Sequence, residues 1–444
     1  MKKVIFVLFA MVVYCFGISS QDSLQFDVQG GSGQFSRLGC LAICSSQSRE
    51  LLGFCKVVCD DLDFTDQFDV DLKKALGDVN DKVLSKLFDR GTSLYLSFSE
   101  LEKQKNDEIG VKASLIDTSS KNGLFEKKLL FSKKDLVVKG HELADGIIKQ
   151  MTGTSGICMS SLAYCKMLGL RQKVVCISDY ACKQNRVVVP SQRINIAPSW
   201  HTTLKQLFYS QITKENNRLM VVDLKTGRKK VVCSYNGLNM QPAFSDDGKK
   251  VVICLSGGRG NADLYLYDQD ICKKMGRRVF KQLTGNGANN LSPCLLPNGN
   301  VLFCSDYGVG KPQVCYFDVK EKKITRLTKS RLCCASPSYC AKTNRVLYTR
   351  PVRGIFQLFT FSLDDIKRIE SVQLTFGGGD KHEPSWSECG KYAVFSMDVI
   401  GKDKRRVPQI AALNYLSKKI RVLTKGREPK SYPRWGYHRF TDLI

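Results

Sequence analysis

The chain has 444 residues, 43% of them hydrophobic and 25% charged, proportions that exclude a disordered or collagen-like chain. That length accommodates two or three domains unless a long repeat array intervenes. A formal net charge of +26 points first to nucleic acid, but the basic residues come as scattered pairs such as Lys229/Lys230, Arg277/Arg278 and Lys418/Lys419. Such pairs suit solvated strand edges, where they discourage edge-to-edge pairing, and they leave acidic partners or anionic envelope polymers as the functional alternative.

The N-terminus reads as a targeting segment. Lys2 and Lys3 precede an almost unbroken apolar run over 4–18, with Gly17 and Ser19 spaced for signal-peptidase cleavage. About 15 apolar residues is short for a membrane span, so 1–19 is expected to be a secretory signal peptide rather than an uncleaved anchor. Lipidation at Cys15 is disfavoured by the bulky Tyr14 before it. A secreted chain is not expected to bind nucleic acid.

Residues 20–152 carry the pattern of an α/β domain. Leu24, Phe26 and Val28 alternate as a short strand would, and a Gly/Ser stretch follows at 30–33. The run 38–44 suits a buried strand. Leu51, Leu52, Cys55, Val58, Cys59 and Leu62 recur at helical spacing, as do Leu72, Ala75, Leu76, Val79, Val83, Leu84, Leu87 and Phe88. Strands are expected over 93–99, 111–117 and 124–131. A last helix carries Leu143, Ala144, Ile147, Ile148 and Met151, and Gly153 stands where a helix stop belongs.

After Gly156 an internal repeat takes over. Pro, any residue, and usually an aromatic recur as PSW, PAF, PCL, PSY, PSW and PRW, with prolines at 198, 242, 293, 337, 384 and 433. Successive prolines are 44, 51, 44, 47 and 49 residues apart. Polar turns (SDDGK, LPNGN, SECGK), strands (KVVICLS, VLFCSD, RVLYTR, YAVFSM) and endings (QLTG, RLTK, QLTF, VLTK) keep phase with them. Four strands per ~45-residue unit is the pattern of a propeller blade. Six landmarks predict a six-bladed β-propeller over 157–444. The first blade opens at 157–190 without a landmark, and the last landmark has almost no chain behind it. The final strand should therefore close the ring on the first blade, removing a sheet edge.

The phrases PAFSDDGKK, EPSWSECGKYAVFS and SPCLLPNGNVLFCS resemble TolB propeller repeats, and GHELADGIIKQMTGTSG (140–156) resembles the helix and turn that end the TolB N-terminal domain. The order of signal peptide, α/β domain and propeller is similar too. The resemblance implies a non-enzymatic, periplasmic subunit of the Tol-Pal system. It would serve outer-membrane integrity and cell division and lie peripheral to the outer membrane through its partners. It implies a Pal-like, peptidoglycan-associated lipoprotein bound at one propeller mouth and a TolA-like inner-membrane protein engaged by the N-terminal segment. The blade turn is degraded at 202–206 and 341–345, and the cysteine content is high for the family.

Residues just before each landmark proline are the candidate lipoprotein site: Asn239 and Gln241, Asn290 and Ser292, Lys381, His382 and Glu383, and Lys430 and Tyr432. Amides, a hydroxyl and a few charges can orient a partner loop, and these side chains are expected at the surface. Leu24, Phe26 and Val28 are the candidate TolA-like contact, by strand addition. Two other readings are a secreted propeller enzyme and a carbohydrate- or peptidoglycan-binding propeller. The enzyme lacks support: GGSGQ and GTSGI both fail the GxSxG pattern, and no P-loop or dinucleotide fingerprint is present. Trp200, Trp386 and Trp435 could stack on sugar, but their phase with the repeat predicts rings wedged between blades. His141 and Glu142 open an HExx pattern, but Asp145 stands where a zinc protease needs its second histidine. They are therefore expected at exposed positions on an amphipathic helix. The 19 cysteines include no CxxC and face only four histidines, so neither a zinc cluster nor any other cofactor is expected. Those inside apolar strand runs read as small buried hydrophobes, with disulfides as the alternative that secretion permits.

Overall fold

The computed structural model describes residues 37–443, apart from 46–47, 75–78, 102–107, 215, 259 and 402. The expected signal peptide, the Leu24–Phe26–Val28 segment and the Gly/Ser stretch lie outside the described residues.

The N-terminal part runs β1 (Leu38–Cys44), α1 (Arg49–Phe64), β2 (Phe68–Lys74), α2 (Asp81–Asp89), β3 (Leu94–Glu100), β4 (Glu108–Asp117), β5 (Gly123–Ser132) and α3 (Leu136–Thr152). Its sheet has the order β2-β1-β3-β4-β5. β1 is an interior strand, parallel to both neighbours, and both its faces are covered. Cys40, Ala42 and Cys44 point into the core under α1 and α3, whereas Leu41 and Ile43 pack with Leu84 of α2. The helices have identifiable ends. Ser48 Oγ accepts from the Leu51 N–H and Asn80 Oδ1 from the Val83 N–H. Gly153 closes α3 with φ 65°, a conformation that glycine adopts without strain.

One expected element differs. Leu72 does not belong to a helix with Val83 and Leu87; it lies in β2, paired with Ala42. Phe68, Val70 and Leu72 alternate with Asp69 and Asp71, and this period of two, backed by a ready partner in β1, overrides the helical spacing of the same residues.

From Ser160 onward the chain is almost all antiparallel strand. Four separate four-stranded sheets begin at Asn239, Asn290, Ala335 and Lys381, each starting with a landmark strand. A fifth sheet is eight-stranded. Within it, Ile194–Trp200 leads into Gln206–Ile212, Asn217–Asp223 and Lys229–Cys233, while Lys430–Arg439, Ser160–Gly169, Gln172–Asp179 and Asn185–Val189 form the other part. The parts meet through a single residue pair, Lys173 with Ile194. The ring closes as the repeat predicts: Trp435 pairs with Leu162 and Ser431 with Cys165. The three tryptophans are buried, and two are also tied by their indole N–H groups, Trp200 to the Arg434 carbonyl and Trp435 to Ser160 Oγ.

Candidate interaction faces

Every landmark builds the same local device. The residue before each proline has positive φ: Ala197 51°, Gln241 54°, Ser292 52°, Ser336 54°, Glu383 56° and Tyr432 55°. Proline cannot donate to a ladder, and its predecessor ordinarily takes extended backbone at negative φ. The ladder accordingly slips in register at the landmark, as between Met240 and Ala243 or His382 and Ser385. Six non-glycine residues held left-handed at equivalent places mark strain retained by the surrounding structure. A cavity of about 540 Å³ is lined by residues of all six landmarks, Trp200, Phe244, Cys294, Tyr339, Trp386 and Trp435 among them.

The position three before the proline is not the exposed recognition site expected from the sequence. Asn239, Asn290, Lys381 and Lys430 are buried. Asn239 Nδ2 donates to the carbonyls of Asn217 and Tyr235, and its Oδ1 accepts from the Tyr235 N–H. Asn290 Nδ2 donates to Asp263, Asn286 and the Ala288 carbonyl. Lys381 Nζ donates to the carbonyls of Gly377 and Gly378, and Lys430 Nζ to Gln409 Oε1 and the Lys425 and Glu428 carbonyls. Burial pushes both ammonium pKa values down. These side chains turn back into the loop before their own strand and pin it. Loop carbonyls without intrahelical or ladder partners need such donors, which is why amide and ammonium groups stand there.

The position directly before the proline links landmarks around the ring. Gln241 Oε1 accepts from the Ser292 N–H at 2.8 Å, and its Nε2 donates to Ser292 Oγ at 3.2 Å. Glu383 Oε2 accepts from the Tyr432 N–H and from Ser396 Oγ. Gln241, Ser292, His382, Glu383 and Tyr432 are half-buried, and His382 lies against the Phe356 ring at 4.7 Å between centroids.

Two ends of the ring are distinct. In the sheet that starts at Lys381, Tyr392 pairs with Asn414 at the end remote from Lys381. That remote end holds the N-terminal part. The Thr65 carbonyl accepts from Asn414 Nδ2 at 2.8 Å, Arg421 pairs with Asp63 and Asp66 at 2.8 and 2.9 Å, and Lys391 Nζ donates to Thr154 Oγ1. The pre-proline end faces the other way. Its loops carry exposed apolar side chains that sequence reasoning passed over: Leu170, Tyr235, Tyr307, Leu332, Phe376 and Ile400. A signal for several of them was present, since YNG, DYGVG and TFGGG set an aromatic beside glycine inside a loop, where no core needs it. Arg171, Lys311, Lys329, Arg331, Arg353, Lys425 and Arg427 are exposed in the same loops. Exposed apolar side chains interspersed with charge make this end a candidate interaction surface.

His141 is not on a solvated face either. It is buried between α1 and the ring. Its Nδ1 lies 2.5 Å from Asp61 Oδ2 and its Nε2 3.8 Å from Asp179 Oδ2, while Tyr180 Oη donates to Asp61 Oδ1 at 2.6 Å. Burial alone would lower its pKa, but the carboxylates of Asp179 and Asp61 outweigh burial and raise it to about 9. Glu142 instead pairs with Lys139, and Asp145 accepts from the Cys158 and Met159 N–H groups. His141 and Asp145 thus tie α3 to neighbouring parts of the chain, while Glu142 stays paired within α3, with no metal-site geometry. Among the described residues no group of three or more His, Cys, Asp or Glu is placed to hold a metal ion.

Fold and faces together define a β-propeller with an α/β region docked on one end. The TolB beta propeller domain family matches residues 148–437, and the chain belongs to the TolB family. A Tol-Pal system protein TolB of Francisella tularensis subsp. holarctica is 28% identical over 189 residues, 41% of this chain; the match spans only 42% of that relative's length. Among solved structures, TolB from Acinetobacter baumannii superposes with a TM-score of 0.76 at 22% identity, covering 91% of this chain and 98% of that one. Hydrazine synthase from Kuenenia stuttgartiensis shares the fold at a TM-score of 0.51 and 13% identity, over 64% of this chain and 47% of that one. Among the described residues no helix is long and apolar enough to cross a membrane.

Proposed function

We propose that this chain is a non-enzymatic scaffold of the Tol-Pal envelope system, working in the periplasm after removal of a signal peptide at 1–19. In this reading 20–152 is one domain and 157–444 a six-bladed propeller. The eight-stranded sheet counts as two blades that touch at Lys173 and Ile194, giving one blade per landmark. The pre-proline mouth receives a Pal-like lipoprotein, and Leu24, Phe26 and Val28 engage a TolA-like protein by strand addition. Such a complex serves outer-membrane integrity and cell division.

The observation that carries this reading is the rim of exposed apolar side chains on the mouth turned away from the N-terminal part. Half-buried Gln241, Ser292, His382, Glu383 and Tyr432 lie inside that rim as candidate contacts. Asn239, Asn290, Lys381 and Lys430 position its loops. The basic residues around it favour an acidic partner surface.

The test is capture of the cognate peptidoglycan-associated lipoprotein by purified mature chain. Tyr307→Asp combined with Phe376→Asp should cut binding at least tenfold with an unchanged melting curve, because both side chains are about half exposed or more, at 51% and 69%. Deleting residues 22–33 should leave lipoprotein capture intact and remove capture of the TolA-like protein. Full lipoprotein binding by the rim variant, with loss on deleting 22–33, would overturn the assignment of faces.

A further inference from the structure

Four cysteines meet in the seam between β1 and α1. Cys40 and Cys44 are four apart on one face of β1, and Cys55 and Cys59 are four apart on one face of α1. All four are buried in the same core, with Phe54, Leu51 and Leu96 around them. The chain reverses after Cys44 and α1 runs back over the strand, so the sulfur nearest the reversal on each element faces the other. The Cys44 and Cys55 thiols are close enough to act on each other as hydrogen-bonding partners, and the Cys59 thiol lies within electrostatic range of Cys40 and Cys44.

Element geometry decides how many bonds this seam can hold. Four residues of strand span about 13 Å and four of helix about 6 Å. When Cys44 touches Cys55, the other two sulfurs are therefore out of register. We propose that Cys44 and Cys55 form a disulfide that staples α1 to β1, and that Cys40 and Cys59 stay reduced. In the cell this rests on the envelope location proposed above, since such bonds persist in oxidising compartments.

The chemistry is thiol–disulfide exchange with a disulfide donor, glutathione disulfide in the test. One cysteine thiolate attacks the donor, forming a mixed disulfide and releasing one glutathione thiolate. The second cysteine thiolate then displaces the other glutathione. Two electrons pass to the donor, and the two thiol protons end on two reduced glutathione molecules. Burial pushes the Cys55 and Cys59 thiols well above their ordinary range and Cys40 up to about 12. Thiolate is scarce in the folded state, so the bond forms while the seam is still open, and the closed core then shields it from reductant.

Full-length mature chain is refolded in a glutathione redox buffer, alkylated, digested with trypsin and mapped by mass spectrometry. Trypsin separates 38–49, 50–56 and 57–73, so Cys55 and Cys59 fall on different peptides. The expected product is 38–49 joined to 50–56, with alkylated Cys59 on 57–73 and fragmentation placing the remaining alkyl group on Cys40. Adding the oxidant to protein already folded in reductant should give at least tenfold less of this product. Cys55→Ser, refolded in the same way, should leave 38–49 unlinked. Four alkylated thiols after oxidative refolding, a Cys40–Cys44 bond, or comparable linkage of 38–49 to 57–73 would overturn the proposal. The map needs only wild-type protein and no bound partner, so its outcome is independent of where the lipoprotein binds.

Discussion

Gln241 and Glu383 do the same work at two places on the ring: each side chain accepts the backbone N–H of the residue before the next landmark proline. A polar side chain at this position is therefore structural first. Gln241→Ala should lower stability by about 1 kcal/mol, the net worth of one satisfied backbone donor, read as a fall in urea midpoint with an unchanged slope. Charge reversal at Glu383 would strip the Tyr432 N–H of its acceptor, so that substitution perturbs the ring as well as any partner.

His141 carries a different kind of consequence. Its pKa rises from an ordinary 6.5 to about 9 on folding, so the folded state holds its proton more tightly. The resulting stabilisation is fully present below pH 6.5 and is lost as pH rises through about 9. The shift corresponds to roughly 3 kcal/mol. Urea midpoints of the wild type should therefore fall between pH 6.5 and 9 more steeply than those of His141→Gln. Parallel profiles would show that the histidine is neutral when buried.

The closing strand Lys430–Arg439 is the element on which the ring depends. Ending the chain after Pro429 removes all its pairs with Ser160–Gly169 and the buried Trp435 ring. Loss of a buried aromatic alone costs about 3–5 kcal/mol, and the strand left behind exposes unpaired backbone groups that recruit other chains. The truncated protein should aggregate or unfold without a cooperative transition in calorimetry. This closure was legible in the sequence because the first and last fragments of the repeat complete one unit. β2 was not, because Leu72 fits both a period of two and a helical spacing with Val79 and Val83, and only the proximity of β1 separates the two.

Across the whole molecule, the legible features were those that repeat. Six prolines at near-constant spacing outweigh any single ambiguous strand, so the propeller emerged from phase alone. Side-chain direction did not emerge, since a spacing says nothing about whether Asn239 points outward or back into its own loop. The exposed rim was missed for a related reason: Tyr307 and Phe376 have the composition of core residues, and only three-dimensional placement shows them in solvent. The burial of His141 depends on Asp61 and Asp179, 80 and 38 residues away in the chain, a meeting that no local pattern records.

Ring closure also has a consequence in time. Ser161 Oγ donates to the His438 carbonyl across 277 residues, so the earliest propeller strand to leave the ribosome waits for the last. Contacts of such separation slow folding, because the intervening loop must be closed before they repay its entropy. The intermediate blades can zip locally as hairpins while the two end fragments remain incomplete. The N-terminal part is in the same position, because its seat includes Arg421 and Asn414, made near the end of synthesis. The molecule thus has a natural order of assembly in which docking of its first-made region and completion of its first-made sheet are both late events, and an unfinished chain presents an open strand in place of a surface.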